Sequence, residues 1–274
     1  MKNLLRTFIF FLVCQCFLCT AAAFAEEYTL SILPRYFPEK LTAMMNPLAE
    51  YLSKEVGIEI KPILTANFAE YENKAKNHTI SIGYENPLVY VNISSAHEVI
   101  ATAVKGTGGD KFRGIIITRP DSGIHKPADL KGKKVMIVGK TSAGGYLSQK
   151  LALKEMGIDV DHDCELSVAA NNQQENVIIS VSIGDVDAGF IRESALHKAD
   201  QFIMPHSVIS IWETAWLPNW ALSVDRNLPD DIKNSIQKSV LKLPRNSKVL
   251  KAMGLISFME AKDSDYDIMR SIAQ

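Results

Sequence analysis

Residues 126–159, KPADLKGKKVMIVGKTSAGGYLSQKLALKEMGID, constrain the fold most, because a turn, a strand, a small-residue loop and a helix follow one another without a gap. Val135-Met136-Ile137-Val138 is an unbroken apolar run, which suits a strand buried on both faces of a sheet. Gly139-Lys140-Thr141-Ser142-Ala143-Gly144-Gly145 then lets the backbone turn tightly into a helix that starts near Tyr146. The start of a helix leaves N–H groups without intrahelical partners at the positive end of the helix dipole. With the hydroxyls of Thr141 and Ser142 beside them, such groups favour a phosphate, phosphonate, sulfate or carboxylate.

The ends and the charge narrow the class. Residues 1–25 read as a cleaved export signal: Lys2 and Arg6 are basic, residues 8–17 are apolar, and Ala23-Phe24-Ala25 is a small-residue cut site before Glu26. The apolar run is broken by Gln15 and is short for a membrane span. Cys19 would allow a lipid anchor, although Cys16-Phe17-Leu18 before it is bulkier than a usual lipobox. Cleavage after Ala25 removes Cys14, Cys16 and Cys19 and leaves Cys164, so no intramolecular disulfide is expected. A chain of 274 residues does not need one. The formal net charge of −1 becomes more negative once Lys2 and Arg6 are gone. That argues against a nucleic-acid or anionic-membrane surface and makes any preference for anions local.

Along the chain, strand and helix patterns alternate. Residues 28–33, 58–63, 80–83, 99–104 and 114–118 read as strands. The helix from about Glu39 sets Leu41, Met44, Met45, Leu48, Tyr51 and Leu52 on one face, with Pro47 expected to kink or restart it. Residues 66–76 and 88–95 also read as helices, and 84–87 as a turn. A second alternation runs over 135–138, 147–156, 165–169, 173–182 and 184–190, followed by short strands at 202–205, 209–212 and 221–224. Two helices, 229–243 and 247–253, are expected to close the chain. The pattern predicts an α/β protein of two lobes, each a mixed, mostly parallel sheet flanked by helices. Lobe 1 takes 26–118 and 209–274, lobe 2 is inserted at 119–208, and the crossings near 118 and 209 form the hinge.

Several motif fragments are incomplete. Gly139-Lys140-Thr141 imitates the end of a nucleotide-binding P-loop, but Lys134 stands where the first glycine belongs. The spacing Gly139, Ser142, Gly144 is one residue too long for a nucleophile elbow, so Ser142 is expected to hydrogen-bond rather than attack. Asp159, Asp161 and Asp163 resemble the start of a calcium loop, yet Cys164 and Ala170 occupy its glycine and glutamate positions. His162 and Cys164 lack a second cluster for zinc, and the other histidines are scattered. No metal, cofactor or catalytic set is expected.

Taken in order, Ile32-Leu33-Pro34, residues 46–52 (NPLAEYL), residues 83–90 (GYENPLVY), Ser122-Gly123-Ile124, residues 129–135 (DLKGKKV), Gly145-Tyr146-Leu147, residues 184–188 (GDVDA) and Asn227-Leu228-Pro229 form a recognisable series. This series resembles the periplasmic phosphate/phosphite/phosphonate-binding proteins of ABC transporters, within the type II solute-binding fold. The resemblance implies a cleft between lobes that closes on one small anion and a protein in the periplasm that is monomeric and not an enzyme. Its partner would be a membrane permease or, alternatively, a sensor kinase. It places Tyr36, Tyr84, Glu85, Asn86 and Tyr90 on the first lobe's side, and Thr141, Ser142, Ala143, Gly144, Gly145, Tyr146 and Gln174 on the second's.

The departures from the family pattern bear on the ligand. Phosphonate binders typically carry Ser-Thr-Ser-Gly-Tyr where this chain has Ser142-Ala143-Gly144-Gly145-Tyr146, so two hydroxyls are missing, each about 1 kcal/mol net. Gln174 stands where a histidine is common, and the acidic position falls on Arg192 or Glu193. If Arg192 faces the cleft, its forked guanidinium suits two oxygens of a carboxylate, sulfate or phosphate; otherwise it pairs with Glu193 or a surface acid. Trp216 or Trp220 either walls the ligand or packs the hinge. A carboxylate or sulfonate therefore remains an alternative to a phosphonate.

Overall fold

The computed structural model describes residues 27–273; the expected signal at 1–25, with Cys14, Cys16 and Cys19, lies outside the described residues. The apolar runs form two sheets. In the first, β1 (Tyr28–Ile32), β2 (Ile60–Pro62) and β3 (Ile82–Glu85) are parallel, joined by α1 (Pro38–Val56) and α2 (Phe68–Lys76). After α3 (Pro87–Ile93) comes β4 (His97–Val104). The returning strand β12 (Ala221–Asp225) lies antiparallel between β3 and β4, and β13 (Ser257–Glu260) pairs antiparallel at the far edge of β4.

The second sheet has the order β10 (Ile209–Glu213), β6 (Gly114–Thr118), β9 (Ala188–Arg192), β7 (Lys134–Ile137), β8 (Glu165–Val168). Its parallel pairings are β7 with β8 and with β9; β6 runs antiparallel to β9 and β10. Around it pack α4 (Ser148–Glu155), α5 (Val160–Asp163) and α6 (Gln174–Ile183). Alternating side chains of β6 feed two cores: Ile116 joins Val135, Ile137 and Phe190 on one face, and Ile115 and Ile117 join Val177, Val181 and Ile191 on the other. The inner strands β6 and β9 are buried on both faces, and β7 beside them buries Val135 and Ile137, which explains why 135–138 reads as an unbroken apolar run.

Sheet membership moves the crossings outward from 118 and 209. Both β6 and β10 belong to the second sheet, so the chain passes between sheets through 105–113 and 214–220, where β5 (Lys111–Phe112) pairs with β11 (Leu217–Pro218). Pro47 does not restart α1, which runs through it as one helix of 19 residues. The carbonyl that Pro47 deprives of a donor belongs to exposed Ala43, where water can serve it. Residues 202–205 form turns rather than a strand, with Phe202 and Met204 turned outward. Beyond α7 (Asp230–Leu241) and α8 (Lys248–Met253), the chain adds β13 and then α9 (Asp267–Ala273), neither expected from the sequence.

Strand β3 runs two residues further than its apolar run, taking in Tyr84 and Glu85, and this decides which way their side chains point. Glu85 is fully buried, accepts a 2.6 Å hydrogen bond from the Tyr71 hydroxyl, and faces Ser223. Gly83 makes room for this group, since a Cβ there would lie 2.6 Å from both Glu85 Oε2 and the Tyr71 hydroxyl. Burial pushes the Glu85 carboxyl from 4.5 up to about 8, so it is neutral at pH 7. Between those values the unfolded chain gives up a proton that the folded chain keeps, so this group's contribution to stability falls as pH rises from about 4.5 to 8. Glu85→Gln, which has no proton to lose, is expected to gain on the wild type steadily from pH 5 to pH 8 in thermal melts. Each kcal/mol of that gain should move Tm by about 2–4 °C in a chain this size.

Candidate ligand-binding cleft

The cleft lies where the carboxyl ends of the parallel strands of both sheets face each other, the usual place for a ligand in open α/β sheets. From the first sheet come Arg35 and Tyr36 after β1, Asn86 after β3, Lys105 after β4 and Trp220 before β12. The second contributes Gly139 and residues 141–144 after β7, Asn172 after β8, and Arg192 at the end of β9. Two cavities result, of about 620 Å³ and about 240 Å³, with Arg35, Phe112, Gln174 and Arg192 in the walls of both.

Arg192 is set by its neighbours. Its backbone N–H donates to Gln174 Oε1 at 2.7 Å, which ties the end of β9 to the start of α6. Its guanidinium sits 4.1 Å from the Phe112 ring centroid, a cation–π contact, and its buried Nε has no partner. Burial, then the Arg35 charge, pulls it down to about 10. Arg35 stacks over Trp220 at 4.2 Å and over Tyr36 at 4.7 Å. Lys105 is pulled down to about 7, mostly by burial and then by Arg35 and Arg192.

None of these three cations meets a carboxylate among the described residues. The nearby acids are taken: Glu193 and Glu213 pair with Arg113, and Glu175 with Lys198 at 3.6 Å. Glu193 thus stands in the larger cavity's wall as half of an ion pair, beside Trp216, whose ring carries the Arg113 guanidinium at 4.7 Å. Arg192 does not pair with Glu193. Unpaired cations in a partly dehydrated site lose hydration that an anion can restore.

The turn after β7 is built as the sequence suggests, with one difference. Ser142 caps the helix start, accepting from Gly145 N–H at 3.1 Å, and residues 143–147 form a wide turn of π-helix before α4. Thr141, Ser142, Ala143 and Gly144 line the smaller cavity. Gly145 is buried against Val138 and reaches neither cavity wall. Tyr146 points away from the cleft into the second lobe, where its hydroxyl donates to Asp161 at 2.6 Å, beside Lys140 and Lys150. Tyr146 therefore supports the turn and does not line the cleft.

Three first-lobe expectations change as well: Tyr84, Glu85 and Tyr90 line neither cavity. Glu85 lies behind its strand in the Tyr71 and Ser223 network, because alternation puts it on the face opposite Tyr84. Tyr90 is buried on α3, donating to Asp263 at 2.6 Å and packing edge-on against Tyr266 at 4.7 Å. Asn86 caps α3 through Val89 N–H at 2.9 Å while lining the smaller cavity. Tyr84, 1 % exposed, lies behind the wall with an unpartnered hydroxyl under the influence of Arg35 and Arg192. Sequence reasoning missed Arg35, Lys105, Phe112 and Asn172; the position of Arg35, Lys105 and Asn172 just after strands was the available signal.

Gly144 links the loop to Arg192. A Cβ there would lie 3.0 Å from the Phe112 ring and 3.3 Å from Arg192 Cβ, so a side chain at this position requires Phe112 and Arg192 to give way. Gly144→Ser is therefore expected to weaken anion binding severalfold by displacing the Phe112–Arg192 stack, with calorimetric titration of the variant as the check.

The comparisons with known proteins agree with this fold. Residues 30–266 match the family model of the ABC transporter, phosphonate, periplasmic substrate-binding protein. The phosphate-import protein PhnD of Mycolicibacterium smegmatis is 21% identical over 281 residues, covering 92% of this chain and 87% of that one. The tetrathionate sensor histidine kinase TtrS of Salmonella typhimurium is 22% identical over 241 residues, covering 81% of this chain but 40% of the kinase. The structure of PhnD1 from Prochlorococcus marinus in complex with methylphosphonate has a TM-score of 0.69 at 15% identity, covering 90% of this chain and 97% of the other. With two lobes of the type II fold and a family match over most of its length, the chain belongs to the phosphonate-type periplasmic substrate-binding proteins of ABC transporters.

Proposed function

We propose that this chain is exported by a cleaved signal, captures a small oxyanion between its lobes, and presents the closed form to a membrane permease. The observation that carries this reading is the set of three cations, Arg35, Lys105 and Arg192, that line one cleft without a carboxylate partner. The relatives support the ligand class, being named for phosphate import and tetrathionate sensing, or solved with methylphosphonate. A ligand carrying an amine fits less well, because Glu193, the acid in the larger cavity, is held by Arg113. The alignment with the sensor kinase favours one second reading, in which the closed form reports ligand to a kinase.

A thermal-shift screen of phosphate, phosphite, methylphosphonate, sulfate, sulfonates and small carboxylates tests the anion reading. A true ligand at 100 times its Kd adds about 2.7 kcal/mol of stability. Arg192→Gln is expected to cut affinity for that ligand at least tenfold while its ligand-free melting temperature stays near wild type. Stabilisation by neutral or cationic solutes alone would refute the anion reading. Disruption of neighbouring permease or kinase genes, followed by uptake and reporter assays, separates transport from sensing.

Lys105 makes binding sensitive to pH. Burial, Arg35, Arg192 and Lys198 all hold its ammonium down to about 7, and an anion beside it reverses part of that shift. Anion affinity is therefore expected to fall as pH rises from 6 to 9. Calorimetry at pH 8 in buffers of different ionisation enthalpy should show proton uptake on binding, and Lys105→Met should bind more weakly and lose both effects.

A further inference from the structure

The two cavities of the cleft share one wall and differ at their far ends. Arg35 and Arg192 stand at the junction, with Phe112 between the chambers. The larger chamber, about 620 Å³, leads to the Lys105 ammonium; the smaller, about 240 Å³, leads to the turn at Thr141 and Ser142. A tetrahedral oxyanion displaces only a few waters of roughly 30 Å³ each, so it fills only part of either chamber. The charge count leads the same way: Arg35 and Arg192, in the walls of both chambers and with no carboxylate partner among the described residues, already exceed what one monoanion offsets, and Lys105 adds to them when protonated. Two buried polar atoms under the junction, the Tyr84 hydroxyl and Arg192 Nε, also lack partners, and such atoms are rare in native interiors.

We propose that the ligand is an elongated dianion with an oxyanion group at each end, one seated at Lys105 and the other at the Thr141–Ser142 turn. Arg35 and Arg192 bracket its middle, and Phe112 and Trp220 supply the apolar contact for its spacer. This assignment rests on the anion reading of the same cleft and deepens it, because it fixes the number and separation of the charges.

Calorimetric titration of the mature wild-type protein tests it with methylphosphonate, ethanesulfonate, ethane-1,2-disulfonate, propane-1,3-disulfonate and butane-1,4-disulfonate. At least one disulfonate is expected to bind 100-fold or more tightly than ethanesulfonate. Lys105→Met and Thr141→Val, one at each end, should each lower that disulfonate's affinity tenfold or more, and each should shrink the disulfonate's advantage over ethanesulfonate. Melting curves of both variants show whether they fold. If ethanesulfonate or methylphosphonate binds as tightly as every disulfonate, the two-ended assignment is overturned and the anion reading stands. If none of the five binds, the two-ended assignment is overturned, and the anion reading is decided by phosphate, sulfate and the carboxylates in the thermal-shift screen.

Discussion

Everything around the cleft is arranged to keep three positive charges close together without an internal counterion. Arg35 lies over the Trp220 ring, Arg192 over Phe112, and Lys105 is close enough to feel both charges. Aromatic faces stabilise a cation without neutralising it, whereas a carboxylate would compete with the ligand. The acids that come near are occupied elsewhere, Glu193 and Glu213 by Arg113 and Glu175 by Lys198. The falls of Lys105 to about 7 and of Arg192 to about 10 follow from that arrangement.

The same arrangement explains the unusual loop. A phosphonate-type turn rich in hydroxyls supplies neutral donors, each worth about 1 kcal/mol. Here the side chain at 144 is gone because Phe112 and Arg192 occupy its space. One change compensates the other: a charged, forked donor stands against the helix start in place of hydroxyls on it. The backbone features that favour an anion survive, since Ser142 still caps the helix.

Most of the fold was legible in the sequence, because strands buried on both faces read as apolar runs and the helices carry one apolar stripe, as α1 does with Leu41, Met44, Met45, Leu48 and Leu52. Strand ends were less legible. β3 continues two residues past its apolar run through the polar Glu85, so the acid that the resemblance places at the cleft is a buried support instead. Tyr90 and Tyr146 failed for a similar reason: the family motif fixes their place in the chain, but their side chains leave the cleft for Asp263 and Asp161. Arg192, Gln174 and the loop at 141–144 do line the cavities, as do Tyr36, Asn86, Glu193 and Trp216. Arg35 and Lys105 escaped notice because they sit singly in loops, and only the folded chain shows that both loops open on the same cleft.

Placing the cations on both lobes ties ligand charge to closure. Arg35 and Lys105 belong to the first sheet's side and Arg192 to the second's, so without an anion the lobes carry like charges toward each other. Those charges interact through a partly dehydrated space, where repulsion exceeds its value in water. An anion between them replaces repulsion with attraction on both sides, and the gain is larger the closer the lobes stand. A ligand shifts a conformational equilibrium only by the difference in its affinity for the two states. In this cleft that difference is electrostatic, so a neutral molecule of the same shape could fill the cavity and still leave the open form favoured.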